Sequence, residues 1–344
     1  MKPRIQFILK KRHVYGKHYS AGLSSGLYNS AKFAADMLAS IGFPVSLVEV
    51  TDNNDIDREV DKFKPDVVII EALWVVPSKF AMLQNLHPGV TWVVRVHSEA
   101  AFLAQEGIAI SWISEYPKFD NVYVALNSLE ALSQVISFYP DKGLHTSKLL
   151  YLPTYYPAPQ KPLYNKRFSG TTVNIACMGA IRVLKNTLIQ AIAAMRFADD
   201  KGWTLRFHIN MALFDMEGNA PYRSVVDLFK DTKHELVQYD WMDHDAFIAF
   251  LKGIDISMQV SFSETFCIVA GDSVAAGVPM VGSHAIRWLD EESKAGTISV
   301  NSITEALHRV LRHNSHLIKK NLEHLQEDAA MSRNAWLGAI AHLT

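Results

Sequence analysis

The sequence predicts an α/β protein made of two successive doubly wound units, and three observations lead there. Short apolar runs of strand length alternate with segments of helical spacing along the chain. Those runs show little polar alternation, which marks strands buried on both faces of a parallel sheet. A proline-rich stretch at residues 151–170, YLPTYYPAPQKPLYNKRFSG, splits the alternation into two series. Parallel strands joined by helices take right-handed crossovers. Two such series predict two Rossmann-like domains facing each other across a cleft, with ligands at the carboxyl ends of the strands.

In the first series, residues 5–9 read as a strand. Residues 25–41 have helical spacing, with Leu27, Phe33, Ala34, Met37 and Leu38 on one face. Gly42, Phe43 and Pro44 stop that helix, and 45–50 is the next strand. Residues 56–63 read as helix, and 67–71, 92–96 and 122–126 as strands. Four prolines and no helical period mark 151–170 as a linker, whose aromatic residues suit packing. The second series has strands at 173–178, 205–210, 236–239, 254–260 and 279–282. Its helices fall at 186–197, 222–229, 245–252 and 268–276, and the chain is helical from 303 onward. The expected domains are 1–160 and 171–315, each Rossmann-like. A helical segment at 316–344 is expected to pack back on the first domain.

Composition narrows the classes. The 344 residues are 49% hydrophobic and 20% charged, with a net charge of -1, which suits neither disorder nor a globally basic nucleic-acid binder. Two cysteines, Cys177 and Cys267, exclude a disulfide scaffold and a Cys-rich zinc module. No apolar run reaches the roughly 18 residues of a membrane span, and the expected location is cytoplasmic, the host cytoplasm if the protein is viral. The charge is unevenly spread: no acidic residue precedes Asp36, whereas Lys2, Arg4, Lys10, Lys11, Arg12, Lys17 and Lys32 do.

The segment 255–283, DISMQVSFSETFCIVAGDSVAAGVPMVGS, holds most of the chemistry. A strand ends near Val260, and a polar loop carries Glu264 into a helix. The amides of Thr265, Phe266 and Cys267 are expected at the helix N-terminus, where amides and the helix dipole favour anions. Asp272 is placed about two turns further along the same face. Paired carboxylates accept hydrogen bonds from hydroxyl-rich ligands, although a helix cap plus a solvated acid would look the same. Upstream, Gly179 ends a strand, and Arg182 and Lys185 sit three apart at a helix entry. Arg can grip phosphate bidentately and Lys acts as a point charge, whereas a solvated helix start is the bland alternative. The loop 20–26, SAGLSSG, offers Gly22 for a close backbone approach to phosphate. His97 lies at a strand's carboxyl end, where it could equally be a satisfied core histidine. Trp241 follows the short strand at 236–239 and could be a buried indole or a stacking surface.

These motifs resemble those of retaining GT-B glycosyltransferases of the large sucrose-synthase-like family. The family pattern P-S-x-x-E-G-F-G-L-V-x-L-E-A-x-A-x-G-x-P-V-V is matched at Ser261, Glu264, Phe266, Val269, Ala275, Gly277, Pro279 and Val281. Thr265 and Cys267 replace glycines, and Asp272 replaces the second glutamate. The resemblance implies that Glu264 contacts donor-sugar hydroxyls and Asp272 the ribose. It gives Lys185, with Arg182 by proximity, the leaving diphosphate, and His97 the donor sugar. It also implies Gly22 over the diphosphate and Trp241 at the base. No permanently bound cofactor is implied, and no metal. The donor expected is a nucleotide-diphosphate sugar, in the first instance a UDP-sugar.

The expected reaction is therefore glycosyl transfer to an acceptor hydroxyl with retention. The stretch 97–109, HSEAAFLAQEGIA, resembles glycosyltransferases of tailed bacteriophages, some of which decorate hydroxymethylated bases in viral DNA. That resemblance implies a DNA acceptor, met by the basic loop of Lys10, Lys11, Arg12 and Lys17. Other acceptors stay open, namely a glycan, a lipid or a small metabolite. So does a catalytically silent nucleotide-sugar-binding protein, and, less favoured by motif, an epimerase or phosphorylase on the same fold.

Overall fold

The computed structural model describes residues 2–11, 26–164, 168–211 and 220–344. They form two compact units. The first holds 2–11, 26–157 and Ala329–Thr344, and the second the described residues of Ala158–Asp328.

The first unit runs β1 (Ile5–Lys10), α1 (Gly26–Ser40), β2 (Val45–Val50), α2 (Asp55–Phe63), β3 (Val67–Glu71), α3 (Lys79–Leu86) and β4 (Thr91–Val96). It continues through α4 (Ala100–Leu103), α5 (Ala109–Glu115), β5 (Val122–Leu126), α6 (Leu129–Phe138) and β6 (Leu149–Tyr151). Its sheet is parallel throughout, in the order β2-β1-β3-β4-β5-β6. One face packs Ile8, Val68, Ile70, Val94 and Val124 against Phe80 and Tyr116. The other packs Phe7, Ile69 and Val93 against Ala34 and Leu38 of α1.

The second unit runs β7 (Thr172–Ala176), α7 (Thr187–Asp200), β8 (Thr204–Asn210), α8 (Ala220–Phe229), β9 (Glu235–Tyr239), α9 (His244–Leu251) and β10 (Ile256–Gln259). Then come α10 (Ile268–Ala276), β11 (Met280–Ser283), β12 (Lys294–Ala295), α11 (Val300–Arg312) and α12 (Asn314–Leu343), of which the residues from Ala329 onward belong to the first unit. Its parallel sheet has the order β12-β11-β10-β7-β8-β9. Counted within the unit this is the Rossmann order 6-5-4-1-2-3, and the chain changes winding direction between β7 and β10. The first sheet instead follows the other doubly wound order, 2-1-3-4-5-6.

Most expected strands and helices are present with ends shifted by one to three residues. Helices α3, α4, α5 and α6 and the short strands β6 and β12 were not read from sequence. They are short or weakly periodic, and only their tertiary neighbours hold them. The proline-rich stretch starts with a strand residue, Tyr151, which pairs in register with Leu126. Leu152, Thr154 and Tyr156 are buried after it. Further on, the N–H groups of Leu163 and Tyr164 donate to the carbonyls of Ala275 and Ala276 at the end of α10. Helix α12 contributes Leu317 to the core of the second sheet and Trp336 and Ile340 to the core of the first. Among the described residues no helix is long and apolar enough to cross a membrane.

Candidate functional site

The loops after β7 and β10 leave neighbouring strands at the point where the winding reverses, and they are stitched together. Gly179, at φ 113°, turns the chain after β7, and its N–H donates to Asn210 Oδ1 at 2.7 Å. Arg182 is extended and half-buried, and a single 3-10 turn covers Val183–Lys185. Asn186 then takes the left-handed conformation, φ 56°, and starts α7. Its side-chain amide donates to the carbonyls of Val260 at 3.0 Å and Thr297 at 2.7 Å. Gln190 bridges the same loops, donating to the Lys185 carbonyl and accepting from the Val260 N–H, both at 2.8 Å. The Phe262 N–H donates to the Leu184 carbonyl at 2.9 Å.

This lattice brings Lys185 Nζ to 2.6 Å from Glu264 Oε1. Glu264 is buried, and about a third of the Lys185 side chain is exposed (32%). Burial works against the Lys185 ammonium, but the Glu264 carboxylate outweighs it and holds the lysine pKa above its ordinary value. The charge of Arg182 also bears on Lys185, pulling the other way. A cation suited to phosphate and a carboxylate suited to hydroxyls thus lie in contact at the switch point of the sheet, where doubly wound folds bind ligands.

Helix α10 spans 268–276 as expected, but the amides of Thr265 and Phe266 are not at its start. The helix begins at Ile268, so Thr265 and Phe266 lie in the loop ahead of it and Cys267 is its N-cap. The cause is local: Cys267 sits at φ 68°, ψ 84°, outside the helical region. A side chain there costs about 1–2 kcal/mol relative to glycine, which takes this conformation freely. The Phe266 carbonyl accepts from Trp288 Nε1 at 2.9 Å, and the two rings pack at 5.6 Å. Ser261 Oγ is fully buried and has no hydrogen-bond partner among the described residues. Both thiols are buried; burial pushes that of Cys177 up to about 12 and that of Cys267 higher still.

Asp272 lies five residues inside α10, not two helical turns from Glu264, because the intervening chain is not helical before Ile268. It is buried, and its Oδ1 accepts from His244 Nε2 at 2.8 Å. That hydrogen bond raises the His244 pKa against the opposing effect of burial. The sequence reading does not single out His244. Nothing local signals it, since the contact depends on α9 lying beside α10. Trp241 is half-buried in the loop between β9 and α9, two strands from β7 and so about 10 Å along the sheet edge.

His97 belongs to the first unit, just after β4. Its Nε2 contacts Glu71 Oε2, and its Nδ1 lies 3.4 Å from Asn127 Nδ2. Glu71 and Arg95 are both wholly buried and pair at 3.1 Å. Burial opposes the Glu71 charge, but Arg95 and His97 outweigh it and lower its pKa. Arg95 also donates to the carbonyls of Leu152 and Pro153, at 2.9 and 2.8 Å, and lies over the Trp336 ring. The His97 ring is therefore held by the framework of its own unit. Lys10 and Lys11 are exposed at the end of β1. Gly22, Arg12 and Lys17 lie outside the described residues.

No family model and no curated protein sequence matches this chain. Solved structures do. A sucrose-phosphate synthase from Thermosynechococcus elongatus matches with TM-score 0.66 and 14% identity, over 99% of this chain and 100% of that one. A UDP-forming α,α-trehalose-phosphate synthase from Burkholderia vietnamiensis matches with TM-score 0.70 and 12% identity, over 100% and 98%. HepE from Anabaena, solved in complex with UDP, matches with TM-score 0.63 and 11% identity, over 97% and 96%. At these identities the likeness is one of fold: the chain has the GT-B fold, an α/β architecture with two parallel six-stranded sheets.

Proposed function

We propose that this protein is a glycosyltransferase that moves a sugar from a nucleotide-diphosphate sugar, a UDP-sugar in the first instance, to an acceptor hydroxyl. The observation that carries the reading is the 2.6 Å contact between Lys185 and Glu264 at the switch point of the second sheet. A sugar diphosphate presents an anionic phosphate and a hydroxyl-bearing ring one bond apart, so a ligand of this kind needs a cation and a carboxylate side by side. The UDP complex of HepE supports the choice of nucleotide.

In this reading Lys185, with Arg182 nearby, stabilises the charge that grows on the departing diphosphate. The amides at the start of α10, from Cys267 onward, add to the same field. Thr265 and Phe266 shape the loop that carries Glu264, which accepts from the sugar hydroxyls. Asp272, oriented by His244, takes the ribose, and Trp241 flanks the base. His97 is assigned to the donor sugar through its backbone or ring edge, and Gly22 to the diphosphate. The bond from the anomeric carbon to the diphosphate breaks and one to the acceptor oxygen forms. The acceptor proton passes to the departing phosphate, with retention of configuration.

A modified DNA base as acceptor keeps one supporting observation, the exposure of Lys10 and Lys11 beyond β1. Transfer that weakens with salt and with neutralisation of both lysines is the expected mark of that acceptor.

The test of the main reading is a thermal-shift screen of UDP-glucose, UDP-N-acetylglucosamine and other nucleotide sugars, followed by measurement of UDP release. Binding is expected to raise the melting temperature, and Glu264→Gln to reduce release at least 100-fold while leaving the fold intact. Binding without release in the wild type marks a silent binding protein. Failure of every nucleotide sugar to bind ends the reading.

A further inference from the structure

Two large apolar side chains stand in water on the loops that carry the Lys185–Glu264 pair. Val183 is 68% exposed and Phe262 41% exposed. Each lies two residues from the charged side chain of its own loop. The bond from the Phe262 N–H to the Leu184 carbonyl holds the two loops together beside the bond between Lys185 and Glu264. The two positions are therefore fixed relative to the charged pair by two cross-links and are not parts of separate loose loops.

Polarity and exposure run together here. Glu264 is buried, Lys185 is part-exposed, and Phe262 and Val183 are exposed. A ligand gripped by Glu264 and Lys185 occupies the inner positions, so the apolar pair meets what approaches from solvent. An aromatic residue two positions from a carboxylate in one loop matches the two-sided chemistry of a sugar ring. The hydroxyl rim seeks acceptors, and the C–H face covers an apolar surface. A diphosphate gains nothing from either apolar side chain.

We propose that Phe262 and Val183 form an acceptor platform that takes the C–H face of a carbohydrate, so that the acceptor is a sugar and not a nucleic acid. This inference rests on the glycosyltransferase reading and names the substrate class of that same site. The phenyl ring supplies the stacking surface, and Val183 closes its edge. A sugar stacked there takes its C–H face and the covered part of the phenyl ring out of water, and an exposed Phe already bears the hydration cost that the contact relieves.

The experiment measures UDP release from the nucleotide sugar that the thermal-shift screen selects, with free hexoses and methyl hexopyranosides as acceptors. Duplex DNA bearing hydroxymethylated bases is run in parallel. With the sugar acceptors, Phe262→Ala is expected to raise the acceptor KM about tenfold and the donor KM less than threefold. Phe262→Tyr is expected to restore the acceptor KM, and Val183→Ser to raise it about threefold. Both side chains are exposed, so neither substitution empties the core, and melting temperatures check the fold directly. An acceptor KM within twofold of wild type in both Phe262→Ala and Val183→Ser overturns the platform. Release stimulated by none of the sugars, whether or not the DNA stimulates it, overturns it as well. If no nucleotide sugar is bound or consumed, the glycosyltransferase reading has failed and the platform falls with it, an outcome distinct from the other two.

Discussion

Replacing Lys185 with methionine separates the structural role of the Lys185–Glu264 pair from its chemical one. The substitution keeps an apolar stem and removes the ammonium 2.6 Å from Glu264 Oε1. Breaking a fully buried pair by removing one partner costs about 3–5 kcal/mol, and an exposed pair is worth about 0.2–1 kcal/mol. Here the carboxylate is 8% exposed and the lysine side chain 32% exposed, so the case lies between these limits. Discounting for the solvent around Lys185 leaves about 2 kcal/mol, or roughly a 30-fold change in the unfolding constant. For a unit of this size that lowers the melting temperature by about 4–8 °C. Calorimetry of the whole chain reads it as a shift of the transition that belongs to the second unit. The double variant Lys185→Met with Glu264→Gln removes the orphaned charge and is expected to recover most of the loss. It is not expected to recover turnover, since a charged hydrogen bond to the diphosphate is worth about 1.5–3 kcal/mol, or roughly 10–150-fold in kcat/KM. The pH dependence follows from the raised lysine pKa. A raised folded value contributes stability that is complete below the ordinary value near 10.5 and is lost as pH rises through the folded value. The gap between wild type and Lys185→Met should therefore close only in strong alkali. A single variant within 0.5 kcal/mol of wild type, or a double variant no more stable than the single, would refute the reasoning.

Two further predictions rest on the elements that frame the site. Gly277 caps α10 at φ 82°, and a Cβ there would lie 2.5 Å from the Tyr164 carbonyl oxygen and 2.9 Å from Pro162 Cβ. Left-handed strain of about 1–2 kcal/mol and overpacking of about 1–3 kcal/mol outweigh the smaller entropic gain in the unfolded chain. Gly277→Ala should thus destabilise by about 2–4 kcal/mol in denaturant titration, and a neutral result would mean that the Pro162–Tyr164 backbone yields freely. His244 has a raised pKa because it donates to Asp272, so its contribution is complete below the ordinary value of 6.5 and fades as pH rises through the folded value. Denaturation of wild type and His244→Gln between pH 5.5 and 8.5 should give a stability difference that shrinks with pH. A difference constant across that range would sink the pairing.

Legibility from sequence differed between the two halves of the site. Glu264 and Lys185 were both found because each follows a long apolar strand and precedes a helical period, so local pattern alone puts them at strand ends. Their contact was not written in either segment. It arises because β7, which starts at Thr172, and β10, which starts at Ile256, lie side by side in the sheet although they are far apart in the chain. The bounds of α10, 268–276, agree with the sequence reading, and only the loop ahead of it was read differently. Thr265 and Phe266 were expected to offer helix-start amides, and the left-handed backbone of Cys267 leaves them in the loop before the helix. His244 and Glu71 were missed because each acquires its partner, Asp272 or His97, from a different element.

Alternating apolar runs and helical periods were enough to determine two doubly wound units, since burial on both sheet faces leaves its mark on every strand. Strand order, the pairing of Lys185 with Glu264 and the exposure of Phe262 and Val183 were decided only in three dimensions. The physical reason is that hydrophobic patterning reports which residues leave water, whereas contacts between loops depend on which strands become neighbours.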